Sequence, residues 1–258
     1  PVWSVAAADV APRMLLLGGA VAGAEIVAVG ERGAILRSND NARTWQAARV
    51  PTSATLTGVT FAPDGLRGWA VGHDALILAT TDGGRTWSKQ YQGENLQDSF
   101  LDVRALDAER VIAVGAYSLF ATTANGGKTW IRRKIVAEDC HLNRLSRGPT
   151  GTLYLAGERG TLLRSSDNGE TWNAIAAPYD GSFYGIVPLD RRTLLAHGLQ
   201  GRVYRSADDG ATWEPVDTPQ PVLLATALRL KSNFLVIAGQ ARVLLLSRDN
   251  GKSLVSSP

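Results

Sequence analysis

The stretch from Gly30 to Trp45, GERGAILRSNDNARTW, and the stretch from Gly157 to Trp172, GERGTLLRSSDNGETW, decide the fold. Both end in an octamer that recurs through the chain. It reads SNDNARTW at Ser38 to Trp45, TTDGGRTW at Thr80 to Trp87 and TANGGKTW at Thr123 to Trp130. It returns as SSDNGETW at Ser165 to Trp172, SADDGATW at Ser206 to Trp213 and SRDNGKSL at Ser247 to Leu254. From Trp45 the steps to Trp87, Trp130, Trp172, Trp213 and Leu254 are 42, 43, 42, 41 and 41 residues. A glycine stands eight positions before each leading Ser or Thr: Gly30, Gly72, Gly115, Gly157, Gly198 and Gly239. Self-similarity at such a fixed period is the signature of a repeat architecture, and a step of about forty residues is the size of one four-stranded propeller blade.

Each repeat divides into four β-prone runs. A first strand such as Leu56 to Phe61 or Phe100 to Arg104 is followed by turn chemistry, for instance Pro63-Asp64-Gly65. A second run leads into the glycine, a third into the octamer, and a fourth starts at the octamer's tryptophan. The octamer is then the hairpin between third and fourth strands. Its acidic or amide residue, Asp40, Asp82, Asn125, Asp167, Asp208 or Asp249, accepts backbone N–H bonds inside the turn, and the glycine two residues later supplies a positive φ. Trp45, Trp87, Trp130, Trp172 and Trp213 then cover the edge of their own blade with a large apolar surface. Asp, Gly and Trp together also suggest a metal or sugar site, but a brace repeated in every blade is the stronger reading. Ala42 replaces the glycine in the first copy, so a strained or differently shaped turn is expected there. The expected fold is an all-β propeller of four-stranded blades with six sequence repeats: six blades, or seven if a terminal blade is missing from this chain.

Of the 258 residues, 45% are hydrophobic and 20% charged, an ordinary globular composition. Lys and Arg exceed Asp and Glu by three without a basic run, so nucleic-acid binding is not expected. The single cysteine, Cys140, permits no internal disulfide. Residues 1–8, PVWSVAAA, place Ala6 and Ala8 like the small residues of a signal-peptidase site and read as a signal-peptide remnant, the alternative being an ordinary first strand. The domain reading is therefore a leader remnant at 1–8 and a single propeller domain over 9–258, with repeats ending near 45, 87, 130, 172, 213 and 254. No run approaches the roughly 20 apolar residues of a spanning helix, so no membrane insertion is expected. Neither HExxH nor GxSxG occurs, and His73, His141 and His197 lie far apart in sequence, so no metal, cofactor or nucleophilic triad is expected.

The pattern G-x-x-G-x-(I/L)-L-x-(S/T)-x-D-x-G-x-T-W resembles the Asp-box (bacterial neuraminidase) repeat superfamily. With a box in every blade and segments such as Trp69-Ala70-Val71-Gly72, the chain is similar to the photosystem II stability and assembly factor family, from about Arg13 to Leu254. The resemblance implies a seven-bladed, exported propeller, periplasmic or lumenal, that assists assembly of membrane-protein complexes by binding them. It implies a protein partner, such as a membrane-protein complex or its assembly intermediate, and no catalysis; a monomer is expected.

Binding is then expected on the face away from the boxes, where second-to-third-strand loops vary while the frame repeats. Those loops carry Glu31-Arg32, His73-Asp74, Ala116-Tyr117, Glu158-Arg159, Leu199-Gln200 and Gln240-Ala241. Arg32, His73, Tyr117 and Arg159 are the candidates there. A second set, Arg37, Arg164 and Arg205, stands immediately before the box serine in three repeats. Those three either pair with carboxylates at a blade edge or form a basic patch for an acidic partner, and the family's arginine-lined surface is carried over to them alone. Two other classes remain. A sialidase-type glycoside hydrolase needs an arginine triad, a Tyr–Glu nucleophile pair and an Asp acid, and Tyr117, Tyr154, Tyr179 and Tyr184 lack an evident Glu partner. A non-catalytic glycan-binding propeller needs exposed aromatics, for which Tyr91, Tyr117 and Tyr179 are candidates.

Overall fold

The structure is a computed structural model that describes residues 14–230 and 232–257. The segment 1–8 read as a leader remnant lies outside the described residues. The fold is a β-propeller of six antiparallel four-stranded blades, each with its strands in sequence order. Among the described residues the only helical pieces are three single 3-10 turns, at Glu31–Gly33, Leu199–Gly201 and Gln240–Arg242. No described helix is long and apolar enough to cross a membrane.

The chain forms two compact units, one ending at Ala137 and the other beginning at Glu138. The first holds blade 1 (β1 Leu16–Ala22, β2 Glu25–Gly30, β3 Ile35–Ser38, β4 Gln46–Ala47), blade 2 (β5 Leu56–Phe61, β6 Gly68–Gly72, β7 Leu76–Thr80, β8 Ser88–Gln92) and blade 3 (β9 Phe100–Ala105, β10 Val111–Gly115, β11 Phe120–Thr123, β12 Ile131–Arg132). The second holds blade 4 (β13 Leu142–Arg147, β14 Leu153–Gly157, β15 Leu162–Ser165, β16 Asn173–Ala174), blade 5 (β17 Phe183–Pro188, β18 Leu194–Gly198, β19 Val203–Ser206, β20 Glu214–Pro215) and blade 6 (β21 Leu224–Arg229, β22 Leu235–Gly239, β23 Leu244–Ser247, β24 Val255–Ser256). The outer strands begin one residue after the box tryptophan or leucine, not at it.

Within each unit the core lies between blades, because successive side chains of a strand point to opposite faces. Ala70 of β6 packs with Val27, Val29 and Ile35 of blade 1, while its neighbours Trp69 and Val71 pack with Val103, Val111 and Ala113 of blade 3. Leu194 and Ala196 of β18 likewise face Tyr154 and Leu162 of blade 4, whereas Leu195 faces Leu235 and Ile237 of blade 6. Buried on both faces, the second strands of blades 2, 3 and 4 read as near-continuous apolar runs.

The repeat glycines are set by crowding rather than by φ. Gly30 and Gly198 are extended, with φ near −170°. A Cβ on Gly72, Gly115 or Gly198 would stand 2.1 Å from the carbonyl oxygen of Thr55, Ser99 or Ser182, the residue just before the neighbouring inner strand. The inner strands carry a register shift at this end, as between Leu56 and Gly58, which pushes the carbonyl against the glycine.

Candidate protein-binding face

Each blade has two loop ends. At the box end the turn is closed by its own side chains. In the fourth blade, Asp167 Oδ1 accepts Ser165 Oγ–H (2.7 Å) and the Thr171 N–H (3.0 Å), Asp167 Oδ2 accepts Thr171 Oγ1–H (2.5 Å), and Ser165 Oγ accepts the Gly169 N–H (2.8 Å). Asp40, Asp82, Asn125, Asp208 and Asp249 sit in the same local network. Hydrogen bonds from Thr44 and Ser38 hold the Asp40 carboxyl at about 2, and those from Thr212 and Ser206 do the same for Asp208. For Asp82, burial pushes upward, but donors from Thr86, Thr80 and Arg85 prevail and its value is also about 2. These carboxylates are occupied by their own turns. Among the described residues no cluster of three or more His, Cys, Asp or Glu could hold a metal ion.

Two consecutive box residues are left-handed, not the single one expected: Asn168 at φ 61° and Gly169 at 89°, with the same pairing in the other copies. Ala42 takes φ 66° and keeps the bond from its N–H to Ser38 Oγ at 2.9 Å, so the first turn closes without glycine.

Three box tryptophans reach the preceding blade as well as packing on their own, a second neighbour beyond the expected cover of their own blade's edge. Trp87 is buried and packs in the core cluster that includes Val27 and Val29 of blade 1. Trp213 of blade 5 donates its indole N–H to the Ala176 carbonyl that follows blade 4 (2.9 Å), and Trp130 packs on the cluster between blades 2 and 3. Trp45 and Trp172 are half-buried. Chain spacing placed the tryptophans on the outer strand but carried no information about which neighbour they would meet.

Arg37, Arg164 and Arg205 lie at this same end, and each is engaged. Arg164 Nη1 donates to Asp209 Oδ2 of the next box at 2.7 Å, and Tyr154 OH donates to the other oxygen of that carboxylate at 2.9 Å. Arg205 Nε donates to the Asn250 carbonyl of the next box at 2.9 Å, while the Asn250 amide reaches Asp190. Arg37 pairs with Glu25, which also meets Arg85 of the second box at 3.2 Å. Repetition of arginine before the box serine thus coincides with a tie from one blade to the next.

The opposite end is built differently. In all six blades the second-to-third-strand loop is a four-residue turn closed by one backbone bond, such as Ala34 N–H to Glu31 O, Leu119 N–H to Ala116 O or Thr161 N–H to Glu158 O, each 3.0 Å. Both central residues are left-handed, the type I′ geometry: Arg32 and Gly33, Asp74 and Ala75, Tyr117 and Ser118 in the first unit; Arg159 and Gly160, Gln200 and Gly201, Ala241 and Arg242 in the second. The first central residue, the tip, is exposed in every copy. Arg32, Tyr117 and Arg159 are therefore tips, and His73 is the exposed residue preceding one. Tyr117 is 68% exposed, and Leu15 and Leu96 are exposed apolar residues at the same end of the first unit. The segment bearing Leu96 is pinned between turns by Gly93 N–H to Ala75 O (3.1 Å) and Ala116 N–H to Ser99 O (2.9 Å). Arg159 reaches Glu138 at 3.4 Å. A cavity of about 600 Å³ flanks the Gln200 turn, lined by Arg202, Tyr204, Pro215, Asp217 and Pro221.

Tyr91, Tyr154, Tyr179 and Tyr204 are packed. Tyr179 stacks on Tyr204 with Arg202 over its ring, and Tyr91 meets Phe100 edge-on. Burial and the Asp209 carboxylate push the Tyr154 phenol above its usual range, opposite to what a tyrosine nucleophile requires.

A family model described as photosynthesis system II assembly factor YCF48 matches residues 37–95 and 90–220. The chain belongs to this family. A structure of YCF48 bound to D1 peptide is similar over 100% of this chain and 85% of its own, with 21% identity and a TM-score of 0.76. YCF48 from Cyanidioschyzon merolae is similar over 98% and 88%, with 17% identity and a TM-score of 0.78. A GH74 xyloglucanase from Xanthomonas campestris, at 17% identity and a TM-score of 0.71, is covered over only 45% of its length by 92% of this chain, a likeness of fold alone. A comparison with curated proteins gives no match. In this YCF48-family chain, the sequence places all six tips in equivalent loops, but only Arg32, Tyr117 and Arg159 of them stand among the binding candidates, with Asp74, Gln200 and Ala241 left out. The signal that finds all six is their constant place two residues after the repeat glycine.

Proposed function

We propose that the protein is a non-enzymatic scaffold that binds an extended segment of a partner protein, a subunit of a membrane-protein complex under assembly, through its tip turns. The observation that carries this is the constancy of the turn against the variety of what it presents. One backbone geometry displays arginine, aspartate, tyrosine, arginine, glutamine and alanine in turn. Scaffolds that recognise partners vary loop side chains on a fixed frame. The YCF48 structure bound to a D1 peptide supports a peptide as the occupant, and the exported location expected from residues 1–8 belongs to the same reading. Arg32, Arg159 and Tyr117 supply charge-assisted and aromatic contacts of the kind that dominate binding energy at protein interfaces.

The test is a titration of labelled D1 peptide followed by fluorescence anisotropy. Wild type is expected to bind, and a folded Arg32→Ser/Tyr117→Ser/Arg159→Ser variant to lose binding, whereas Asp167→Ala at the box end retains it. Binding that survives the tip variant and is lost in a folded Asp167→Ala variant overturns the assignment. Turnover of a sialoside or xyloglucan by the wild type overturns the non-enzymatic reading.

A further inference from the structure

Four blade junctions lie inside the two units, and three of them are closed at the box end by charged groups. Blades 1 and 2 share the Arg37–Glu25–Arg85 chain, blades 4 and 5 the Arg164–Asp209 pair, and blades 5 and 6 the Arg205–Asn250 bond. Between blades 2 and 3 the strand position of the clamp arginine holds Ala79. A bulge in β8, where Ile77 pairs with Tyr91 but Leu78 with Lys89, leaves Gln90 unpaired in the ladder and aims its amide into the gap. Gln90 Oε1 accepts the indole N–H of Trp69 (3.0 Å) and of Trp130 (3.4 Å), and its Nε2 donates to the Gly126 carbonyl (2.8 Å). That carbonyl holds the box position of the Asn250 carbonyl bound by Arg205. The amide is shorter than an arginine, and a cavity of about 220 Å³ remains, bordered by Ala79, Thr81, Gln90, Glu109, Gly126 and Lys128.

We propose that this cavity receives the guanidinium of an arginine on a partner protein, supplied in trans where the chain supplies it in cis at two other junctions. Three observations converge. The volume corresponds to roughly seven water-sized groups at ~30 Å³ each, against the six heavy atoms of an arginine side chain beyond Cβ. The Gly126 carbonyl accepts one bond and has a second lone pair for a donor, and the Glu109 carboxylate stands exposed at the rim. Of the two cations at the cavity, Arg67 is held by Asp64 at 3.0 Å, and Lys128 is exposed on a flexible stem that can turn to solvent. A planar guanidinium offers a fork to a carbonyl and a carboxylate together, which an ammonium does not. This contact lies at the box end and does not rest on the tip-face reading.

The test uses the whole protein, with N-acetylarginine methylamide as the probe and the indole N–H resonances of Trp69 and Trp130 as the readout. Both resonances are expected to move saturably with the probe, and N-acetylglutamate methylamide is expected to leave them in place. Ala79→Arg should raise the thermal midpoint by restoring the clamp, and should abolish the probe-induced shifts. If that variant fails to fold, Ala79→Met, which fills the cavity without charge, should abolish them instead. No saturable shift with the arginine probe overturns the proposal. So does an equal shift in a folded filled variant, or a shift with the glutamate probe in its place.

Discussion

Both ends of every blade contain two successive left-handed residues, yet they are filled by opposite rules. At the box end the first of the pair is Asn41, Gly83, Gly126, Asn168, Asp209 or Asn250, and the second is glycine in all but one copy. Those are the residue types that tolerate positive φ, and the flanking Ser and Asp close the turn from within. At the tip end the first residue is Arg32, Asp74, Tyr117, Arg159, Gln200 or Ala241, and only the aspartate is a usual occupant of that region. The box end obeys local chemistry because it has one task, to seat each blade on its neighbour. The tip end keeps the geometry and gives up the favoured residues. Sites where local preference is overridden in a folded frame are where function is to be sought.

The largest effect that separates the ends is expected at Trp87. Its side chain is buried between blades 1 and 2, so Trp87→Ala should destabilise by about 3 to 5 kcal/mol in urea unfolding. Trp213→Ala, starting from a half-buried ring, should cost less. Peptide affinity of either variant, measured where it is folded, should equal that of wild type; a lost affinity would place binding energy at the box end and dissolve the contrast.

Acid should act on the brace in two steps. His197 is buried in β18, with Nδ1 2.9 Å from the Leu224 carbonyl of blade 6, and burial lowers its pKa to about 4. The unfolded imidazole takes its proton near 6.5, so between 6.5 and 4 the unfolded chain binds more protons and stability falls as pH drops. The box carboxylates work lower down: with Asp40, Asp82 and Asp208 at about 2 against an ordinary 3.8, their contribution is full above 3.8 and lost as pH falls towards 2. Urea midpoints across pH should show both declines. The upper one should vanish in a folded His197→Gln variant, and its persistence there would assign it to other groups.

The box end was largely legible in the sequence because its determinants are local. The octamer names its own hydrogen bonds, and its period counts the blades. What the sequence withheld were contacts between repeats: that Trp87 leans on blade 1, that Arg164 reaches Asp209 in the next box, and that a bulge turns Gln90 into a gap. A shift of one strand position separates a surface arginine from an inter-blade tie, and no spacing rule resolves it. The leader reading of residues 1–8 also has a rival in sequence, since Trp3 stands 42 residues before Trp45, the same step that separates the boxes.

A smaller effect should distinguish the two sets of arginines. Arg205→Ala removes a bond to the Asn250 carbonyl and should cost on the order of 1 kcal/mol, and Asp167→Ala should also destabilise through the lost turn bonds. Arg164→Ala should cost less, about 0.2 to 1 kcal/mol, because that pair is half-exposed and screened. Arg32→Ser and Arg159→Ser, at exposed tips, should stay within about 0.5 kcal/mol of wild type. If the clamps fail to cost stability, the arginines before the box serine are open to a partner after all, and a salt-dependent loss of peptide capture in Arg164→Ala would demonstrate it.

The smallest change in stability is the sharpest test. Tyr117 sits at φ 51° and Ser118 at 59°, two left-handed residues in a row with a ring 68% exposed. With most of the side chain exposed, burial contributes little towards holding the conformation. Glycine adopts this region without the clash between Cβ and the following carbonyl, a penalty of about 1 to 2 kcal/mol for other residues, but loses more backbone freedom on folding, by roughly 0.5 to 1 kcal/mol. Tyr117→Gly should therefore leave stability unchanged or raise it by up to about 1.5 kcal/mol, with the turn bond from Leu119 N–H to Ala116 O intact. The same variant should bind D1 peptide more weakly, because the aromatic anchor has gone while the frame has not moved. A gain in stability with a loss of binding separates the two ends of the blade as structure and recognition. A clear loss of stability would mean that the ring packs on its own blade, and unchanged affinity would move the recognition site away from the third-blade tip.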